Sequence, residues 1–511
     1  MSEAKATTAR EKNRRVVLNI VTGILYEVII VAFGLILPRL YLVNFGSDVN
    51  GLDSTIKNIF AYLSLLEAGV GLSAQYAPYR PVAQGNTENI NAILSAARKF
   101  YLKTSVLYTS LTVLFALVYP LLIRTALPYW TVFGMVMLYG VPGIILYSLR
   151  GKYNAFMEVE GKKYILTTLS TVTLVVANVL RLVFLLISDN LLLIQATYCV
   201  PSALQVVFVI LYVKKKYPWI DWKAKPNYAA LSQKKSVLVH QISNCIFSNT
   251  DTIIISFMCG MNYASVYAIY SLFFANFQKI VSSFSNGLTF KFGQLFQTDR
   301  QQFFREFSCY ESVFYMLLFW AYTVITAFLM PVIRLYTAGV ADAAIYDNRL
   351  ILLLFAVWTI MTAVEMPLLQ LQSIAGKFDD TKHQAVIEML INIVVSLIAT
   401  WKLGIVGCLI GTILALSYRI VAMVIYTGRE VLNRSWRKTF RKIAVNTVVA
   451  VLVLLLTGTD GCEAVSYLYV IGQAALGAMW IGALFLAANL LTDFAEYKQL
   501  FMAVKARLHR A

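Results

Sequence analysis

The sequence predicts an all-α polytopic membrane protein with about fourteen transmembrane helices. Of its 511 residues, 59% are hydrophobic and only 14% are charged, and the mean hydropathy is +0.68. A soluble domain could not bury so much apolar surface away from water. The apolar residues also occur in blocks of about 20, the length with which an α-helix crosses ~30 Å of hydrocarbon. Helices are the expected spanning element because they satisfy their own backbone polar groups.

The hydrophobic blocks fall into two groups of six, followed by a final pair. The first group is predicted at 16–42, 51–75, 105–123, 131–149, 165–187 and 191–213. The second is predicted at 237–260, 263–289, 309–330, 351–374, 385–400 and 403–426, and the pair at 443–457 and 464–491. We therefore predict an N-lobe (1–213), a cytoplasmic inter-lobe loop (214–235), a C-lobe (236–427) and a C-terminal region (428–511) with helices 13 and 14 and a cytoplasmic tail.

The positions of the lysines and arginines predict the orientation. If the amino terminus lies inside, internal segments hold 35 of the 44 lysines and arginines, and the outer loops hold only Arg124, Arg334, Arg349 and Lys402. This imbalance is the positive-inside rule, so both termini are expected in the cytoplasm. The net charge of +18 is then expected to hold cytoplasmic loops, with the aromatic residues of segment 214–235, against anionic headgroups rather than to bind nucleic acid.

Motifs of catalysis and metal binding are missing from the sequence. The three histidines, at positions 240, 383 and 509, lie far apart, and the six cysteines show no C-x-x-C spacing. A phosphate loop of the G-x-x-x-x-G-K-S/T type is absent. The longest predicted outer loop, 331–350, is far shorter than the ~50 residues of a small domain. We therefore expect no enzyme activity, no cofactor and no metal.

Charged residues inside the predicted spans are functional candidates because a charge is costly in hydrocarbon. In the second span, Asp53, Ser54, Lys57, Ser64, Glu67 and Gly71 share one side of a helix at 100° per residue, which predicts a side facing a wet cavity. The cationic candidates are Lys57, Lys279 and Arg39. The carboxylate candidates are Glu27, Glu67, Asp251 and Glu365.

The cationic candidates differ in what they are expected to contact. Lys57 and Lys279 have no obvious partner at helical spacing in their own spans, so we expect an anion or a polar cavity to receive them. Arg39 either reaches the outer interface or lines the cavity. Arg181 and Arg419 lie in spans outside the expected cavity and are interpreted as members of structural ion pairs.

Glycines mark two further features of the sequence. Gly407 and Gly411 form a G-x-x-x-G pattern, which predicts close helix contact either within the chain or in a dimer. Gly46 and Gly260 each lie at or just past the end of the first span of a half and lead into a second span that carries polar residues. This correspondence is typical of parallel repeats related by an axis along the membrane normal.

Several short motifs are close to those of a known group of membrane proteins. The first hairpin contains NFGSDVNGL at 44–52 and YLSLLEAGVG at 62–71. They are followed by YRPV at 79–82 and NINAIL at 89–94, and NTDTIIIS at 249–256 begins the second half. With fourteen spans arranged as six, six and two, the chain resembles the bacterial polysaccharide-unit flippases of the multidrug/oligosaccharidyl-lipid/polysaccharide exporter superfamily.

The resemblance implies two six-helix lobes, related by pseudo-twofold symmetry, around a cavity that opens alternately to each side. It implies a flippase that moves undecaprenyl-pyrophosphate-linked oligosaccharide repeat units from the cytoplasmic to the outer leaflet, for surface polysaccharide biosynthesis. Lys57, Lys279 and Arg39 would compensate the pyrophosphate charge. Two alternatives stay open: a cation-coupled multidrug antiporter of the same superfamily, whose carboxylates attract organic cations, and a membrane-embedded enzyme of glycan assembly.

The energy source and the partners follow from this interpretation as expectations. Return of the empty transporter would use a proton or sodium gradient or the membrane potential, with Glu27, Glu67, Asp251 or Glu365 as coupling or cavity carboxylates. The expected partners are the lipid-linked oligosaccharide and membrane lipids, with glycan polymerases or ligases as candidate protein partners. The chain is expected to work as a monomer in the bacterial cytoplasmic membrane.

The charge bias gives a direct test of topology. Reporter tags at the amino terminus, within 214–235 and at the carboxyl terminus should all give a cytoplasmic signal, because the internal segments carry most of the positive charge. Accessibility to a membrane-impermeant label in intact cells would measure this. Labelling of any one of the three tags from outside would overturn the orientation.

Overall fold

The computed structural model describes residues 2–68, 77–84, 86–150, 153, 156–157, 160, 162–228 and 235–508, and its regular elements there are all helical. Within these described ranges, fourteen long helices follow one another. They are α1 (Ser2–Leu63), α2 (Thr87–Leu122), α3 (Tyr129–Ile145), α4 (Lys163–Ile187), α5 (Cys199–Lys216), α6 (Lys235–Met258) and α7 (Met261–Thr298), then α8 (Arg300–Thr337), α9 (Arg349–Ala375), α10 (Phe378–Leu403), α11 (Ile405–Tyr426), α12 (Arg437–Thr457), α13 (Tyr467–Thr492) and α14 (Phe494–Leu508).

Short helical segments connect some of these helices. They are Leu65–Ala68, Tyr79–Gln84 and Leu191–Ala196, the 3₁₀ turn Ala343–Tyr346, and the π-helical turns Leu146–Arg150 and Thr427–Val431. The chain divides into two compact units, Met1–Ser265 and Val266–Ala511, and the division falls near the start of α7.

The length and composition of the helices confirm an all-α, multi-pass membrane protein. Among the described residues, 11 helices are long and apolar enough to cross a membrane. One of them, Val21–Leu63, overlaps both the first and the second predicted span. Helices α6 and α7 coincide with the seventh and eighth predicted spans and fall outside this set of eleven.

Two glycines give the chain a sharp change of direction. Helix α1 is broken at Gly46, where φ is 78°, and Gly260 separates α6 from α7 with φ 96°. Positive φ is open to glycine because it lacks a Cβ atom. The two glycines that correspond in the sequence therefore also share an unusual backbone conformation.

The motif at 44–52 anchors the break in α1 to its neighbours in the first unit. The side-chain amide of Asn44 donates to the carbonyl of Leu185, at 3.1 Å. The Asp48 carboxylate accepts hydrogen bonds from the Thr125 hydroxyl at 2.6 Å and from the Ala126 backbone N–H at 3.0 Å. These contacts tie the kinked segment to the end of α4 and to the loop after α2.

The same motif also brings α1 against the start of α7. The Asn50 amide donates to the Ser265 hydroxyl at 2.6 Å. A Cβ atom on Gly51 would lie 1.8 Å from the Met261 carbonyl oxygen, well inside van der Waals contact. Glycine at position 51 is therefore what allows these two backbones to meet.

The apolar core of the first unit surrounds the second half of α1. Leu52 and Ile56 are fully buried there, one turn apart. They pack with side chains from α2, α3 and the segment after α4, which include Ala116, Tyr119, Val132, Met135, Val136 and Ile194. Since Asp53 and Lys57 follow these two residues directly, the core fixes where the two charged side chains project.

Part of the basic segment 214–235 is docked on the first unit. The Asn91 side chain donates to the Trp219 carbonyl at 3.4 Å and accepts from the Asp221 N–H at 3.1 Å, and Arg98 donates to the Trp222 carbonyl at 3.3 Å. The Trp222 ring packs on Tyr153, with centroids 4.8 Å apart. In its described part, this segment is thus held by contacts with the rest of the first unit.

An ion-pair network attaches the last helices to α8 in the second unit. The buried Glu311 carboxylate contacts the Arg434 guanidinium at 2.5 Å and the Lys442 ammonium at 3.0 Å. Arg441 of α12 in turn contacts Asp493, just beyond α13, at 2.5 Å. Two cations on one buried carboxylate thus fix the beginning of α12 onto α8.

The G-x-x-x-G pattern makes its close contact within the chain. A Cβ atom on Gly407 would lie 2.1 Å from the Ala399 carbonyl oxygen, and one on Gly411 would lie 2.4 Å from the Ser396 hydroxyl. Both contacts join α11 to α10. Of the two roles that the sequence left open, the pattern therefore serves packing within the chain.

This packing gives a matched pair of substitutions. Gly411→Ala should lower the free energy of unfolding in detergent by about 1–3 kcal/mol, because the added methyl overpacks the α10–α11 contact. Gly472→Ala in α13, where a Cβ atom would meet nothing within 4 Å, should be neutral or stabilising by up to ~1 kcal/mol through helix propensity. Equal effects at the two positions would contradict the packing assignment.

Candidate functional site

A buried carboxylate organises the polar centre of the first unit. The Oδ1 atom of Asp53 lies 3.4 Å from Nη2 of Arg181, and Oδ2 lies 2.6 Å from Nζ of Lys57. The Tyr139 hydroxyl also donates to Oδ1. Helices α1, α3 and α4 therefore meet at one carboxylate, whose side chain is only 8% exposed.

Arg181 is buried and its donors are matched with acceptors. Its Nε donates to the Tyr41 hydroxyl at 3.0 Å, and its terminal nitrogens donate to Gln195 at 3.2 Å and to the Tyr198 hydroxyl at 3.4 Å. The guanidinium carbon lies 4.3 Å from the centre of the Tyr41 ring. Tyr198 donates onward to Asn178 at 2.5 Å. Such partners are what a buried charge requires.

A cavity of about 190 Å³ opens beside this cluster. Its polar wall consists of Tyr41, Asp53, Lys57, Asn178, Arg181 and Tyr198, and its apolar wall comes from α1 and α4. Because a water molecule takes up ~30 Å³ of liquid, the cavity has room for roughly six waters or a group of phosphate size. The site suits a small polar group rather than a whole glycolipid.

The charges around the cavity do not cancel. Lys57 and Arg181 carry two positive charges and Asp53 carries one negative charge, which leaves a net charge of +1. Lys57 is 51% exposed at its side chain, whereas Arg181 is 4% exposed. Asp53 therefore holds two cations in place without neutralising both, and the cavity favours an anion.

The candidates on the first two predicted spans have different surroundings. Lys57 lines the cavity, whereas Glu27 is exposed on α1 and Arg39 is half-buried next to Pro38, which does line it. The side chain of Glu67 lies outside the described residues. Of these four, the structure brings Lys57 to the charged cluster.

The remaining candidates lie on α6, α7 and α9. Asp251 is buried on α6, and Lys279 is exposed on α7. Glu365 is buried on α9, where its carboxylate contacts Arg419 of α11 at 3.0 Å, and Glu388 of α10 lies beside the same arginine. Arg419 is thus in an ion pair, as the sequence interpretation expected.

Three expectations about the first unit need correction. Lys57 does have a partner at helical spacing, since Asp53 lies four residues before it, an arrangement that favours a side-chain ion pair on a helix. Arg181 forms an ion pair as expected, but it also lines the cavity, which its position in the sequence did not indicate. The predicted polar face is also interrupted, because α1 ends at Leu63.

Comparisons with known proteins show the fold. No protein-family model and no curated protein matches the sequence. The structure is similar to the lipid II flippase MurJ in an inward closed conformation, with a TM-score of 0.68 and 13% identity over 95% of this chain and 100% of that one. It is also similar to an inward-facing multidrug resistance MATE transporter of the MOP superfamily, with a TM-score of 0.54 and 10% identity over 83% of this chain and 94% of the other.

A third structure belongs to the same group. The Vibrio cholerae MATE transporter VcmN gives a TM-score of 0.50 and 15% identity over 85% of this chain and 100% of that one. The chain therefore has the fold of MurJ and the MATE transporters, as the resemblance in its sequence implies. At 10–15% identity, the likeness establishes the fold, and the substrate has to be argued from the site.

The contacts of Asp53 predict how the first unit responds to substitution. Asp53→Asn should cost about 3–5 kcal/mol of unfolding free energy, because it leaves the buried Arg181 guanidinium without a counter-ion. Arg181→Gln should cost less, because Asp53 keeps its contact with Lys57. The double variant should be at least ~1 kcal/mol more stable than the sum of the two predicts. Denaturant unfolding in detergent would measure the coupling.

Lys57→Gln is the matched control, because half of its side chain is exposed, and its cost should stay below about 1 kcal/mol. Strictly additive effects of the substitutions at positions 53 and 181 would show that the two side chains do not interact in solution.

Proposed function

We propose that this protein is a flippase for undecaprenyl-pyrophosphate-linked oligosaccharide repeat units, moving them from the cytoplasmic to the outer leaflet by alternating access. The observation that carries the proposal is the net positive cavity of the first unit, with Lys57 and Arg181 beside Asp53. The fold supports it, since the similar structure MurJ is a lipid II flippase.

The chemistry of the head group matches the cavity. A pyrophosphate carries its negative charge on oxygens that accept hydrogen bonds, and cations in a low-dielectric site interact with it strongly. Lys57 is the accessible part of this site, because half of its side chain is exposed and its ammonium group has three donors, of which Asp53 takes one. Arg181 is the fixed part, because its donors already contact Tyr41, Gln195 and Tyr198.

The size of the cavity limits what it holds. A volume of about 190 Å³ admits a charged group but not an oligosaccharide. We therefore propose that this site binds the phosphate end of the substrate, while the sugars lie outside it and the polyprenyl chain stays in the bilayer. Arg39 is proposed as a further contact of the same anionic group, and Lys279 is proposed as a substrate-binding residue of the second unit.

The antiporter alternative makes a different demand on the same residues. An organic cation would need a carboxylate whose charge is not already neutralised by protein cations. The Asp53 carboxylate contacts two cations and a tyrosine hydroxyl. The first unit thus favours an anionic substrate. Glu27, Glu67 and Asp251 are proposed as coupling or cavity carboxylates, and the bacterial cytoplasmic membrane as the location.

Complementation of a strain that lacks the gene tests this function. The deletion should leave lipid-linked repeat units on the cytoplasmic face and reduce surface polysaccharide. Lys57→Ala should impair export, Lys57→Arg should retain part of it, and Lys57→Glu should abolish it, because a second carboxylate beside Asp53 repels the pyrophosphate. Surface polysaccharide and membrane protein level would be measured together.

The control is Lys402→Glu, which reverses the charge of an exposed lysine at the end of α10 and should leave export unchanged. Normal polysaccharide in the deletion strain, combined with drug hypersensitivity, would replace the flippase by the antiporter. Full export by well-expressed Lys57→Glu would exclude the cationic cavity as the site for the head group.

A further inference from the structure

The Arg419 cluster of the second unit has the reverse charge balance of the Asp53 cluster. Arg419 of α11 contacts Glu365 of α9 at 3.0 Å and lies 3.6 Å from the carboxylate of Glu388 on α10. The side chains of the three residues are 2%, 9% and 11% exposed, respectively. Two carboxylates therefore share one guanidinium inside the protein.

If Glu365 and Glu388 were both ionised, this arrangement would have a high electrostatic free energy. Arg419 compensates one negative charge, and a second one would remain buried beside the first. Two carboxyl groups that share a site rarely ionise together, because each charge raises the cost of the other. Glu365 is the better-paired of the two, since Nε of Arg419 donates directly to it.

Glu388 has the contacts of a neutral acid rather than those of an anion. It is nine-tenths buried, and in the described part of the chain no hydrogen bond reaches its carboxyl group. The side-chain oxygens of Gln384 and Asn392, one turn before and after it, are buried acceptors for which the described residues supply no donor. A protonated Glu388 would add an O–H donor to this face of α10, where the two acceptors lack a donor.

Other charged groups do not alter this balance. On α8, which packs against α9, the nearby titratable group is Tyr315, whose hydroxyl donates to the Val364 carbonyl at 3.3 Å. The other charged side chains on α9–α11 and the turns beside them are exposed or half-buried near helix ends, namely Arg349, Lys377, Asp379, Asp380, Lys382, His383, Lys402, Arg429 and Glu430.

We infer that Glu365 and Glu388 form a proton-binding site, in which the pair holds one proton beside Arg419. The guanidinium makes the site selective, because its fixed positive charge repels a metal cation, whereas a proton bonds directly to a carboxyl oxygen. In an inference that rests on the proposed function, this proton is released and taken up during the transport cycle, so that the proton gradient supplies the driving force.

Infrared spectroscopy of the purified full-length protein tests the proton site without any substrate. At neutral pH, the wild type should show the C=O stretching band of a buried carboxylic acid, with a shift in D₂O. Glu388→Gln and Glu365→Gln should each abolish that band, since the remaining carboxylate then pairs with Arg419. Arg419→Gln should increase it, because neither carboxylate keeps a counter-ion.

Glu311→Gln is the matched control, because Glu311 is a buried carboxylate of the same unit that contacts two cations and should contribute nothing to the band. A wild-type spectrum without a carboxylic acid band, or a band that survives both Glu388→Gln and Glu365→Gln, would overturn the site.

The coupling role has its own measurement. Export by wild type in energised vesicles should depend on the pH gradient, and export by Glu388→Gln should lose that dependence. If the band behaves as expected but export by Glu388→Gln keeps its full response to the gradient, the proton site stands and its coupling role is wrong. If no glycolipid is exported at all, the proposed function fails while the infrared result still decides the site.

Discussion

The buried carboxylate of Asp53 is the contact on which the first unit depends. It accepts from Tyr139, Lys57 and Arg181, which come from α3, α1 and α4. Moving charged groups out of water costs several kcal/mol per ion, so such a cluster persists only if every member has partners. Asp53 thus orders these helices through its ion pairs. Because it contacts two cations and carries one negative charge, one positive charge remains at the wall of the cavity.

The Asp53 cluster and the Arg419 cluster have opposite charge balances. In the first, two cations share a carboxylate, and in the second, two carboxylates share a guanidinium. An excess cation that is half-exposed, such as Lys57, is a place for an anionic ligand. An excess carboxylate that is nine-tenths buried, such as Glu388, is a place for a proton. The sign of the excess and its exposure thus separate the two proposed roles.

The first of the motifs that carry the family resemblance, at 44–52, has a structural explanation. Asn44 and Asp48 bond to backbone and side-chain groups at the ends of neighbouring helices, and Gly46 and Gly51 permit a kink and a close backbone contact. These contacts serve the fold, and none of them touches the cavity beside Asp53. This explains why the resemblance predicted the architecture that MurJ and the MATE transporters share, yet could not decide the substrate.

Hydropathy by itself determined the all-α multi-pass fold, because a span of about 20 apolar residues has few alternatives to a transmembrane helix. Sequence also indicated Lys57 and Glu365, since charge within a hydrophobic block is visible in one dimension. The tertiary structure alone decided that Arg181, 128 residues after Asp53, completes the first cluster, and that Glu388 joins Arg419 in the second. Periodicity reports which residues share a face of one helix, whereas the partner across a helix contact depends on how separate helices pack.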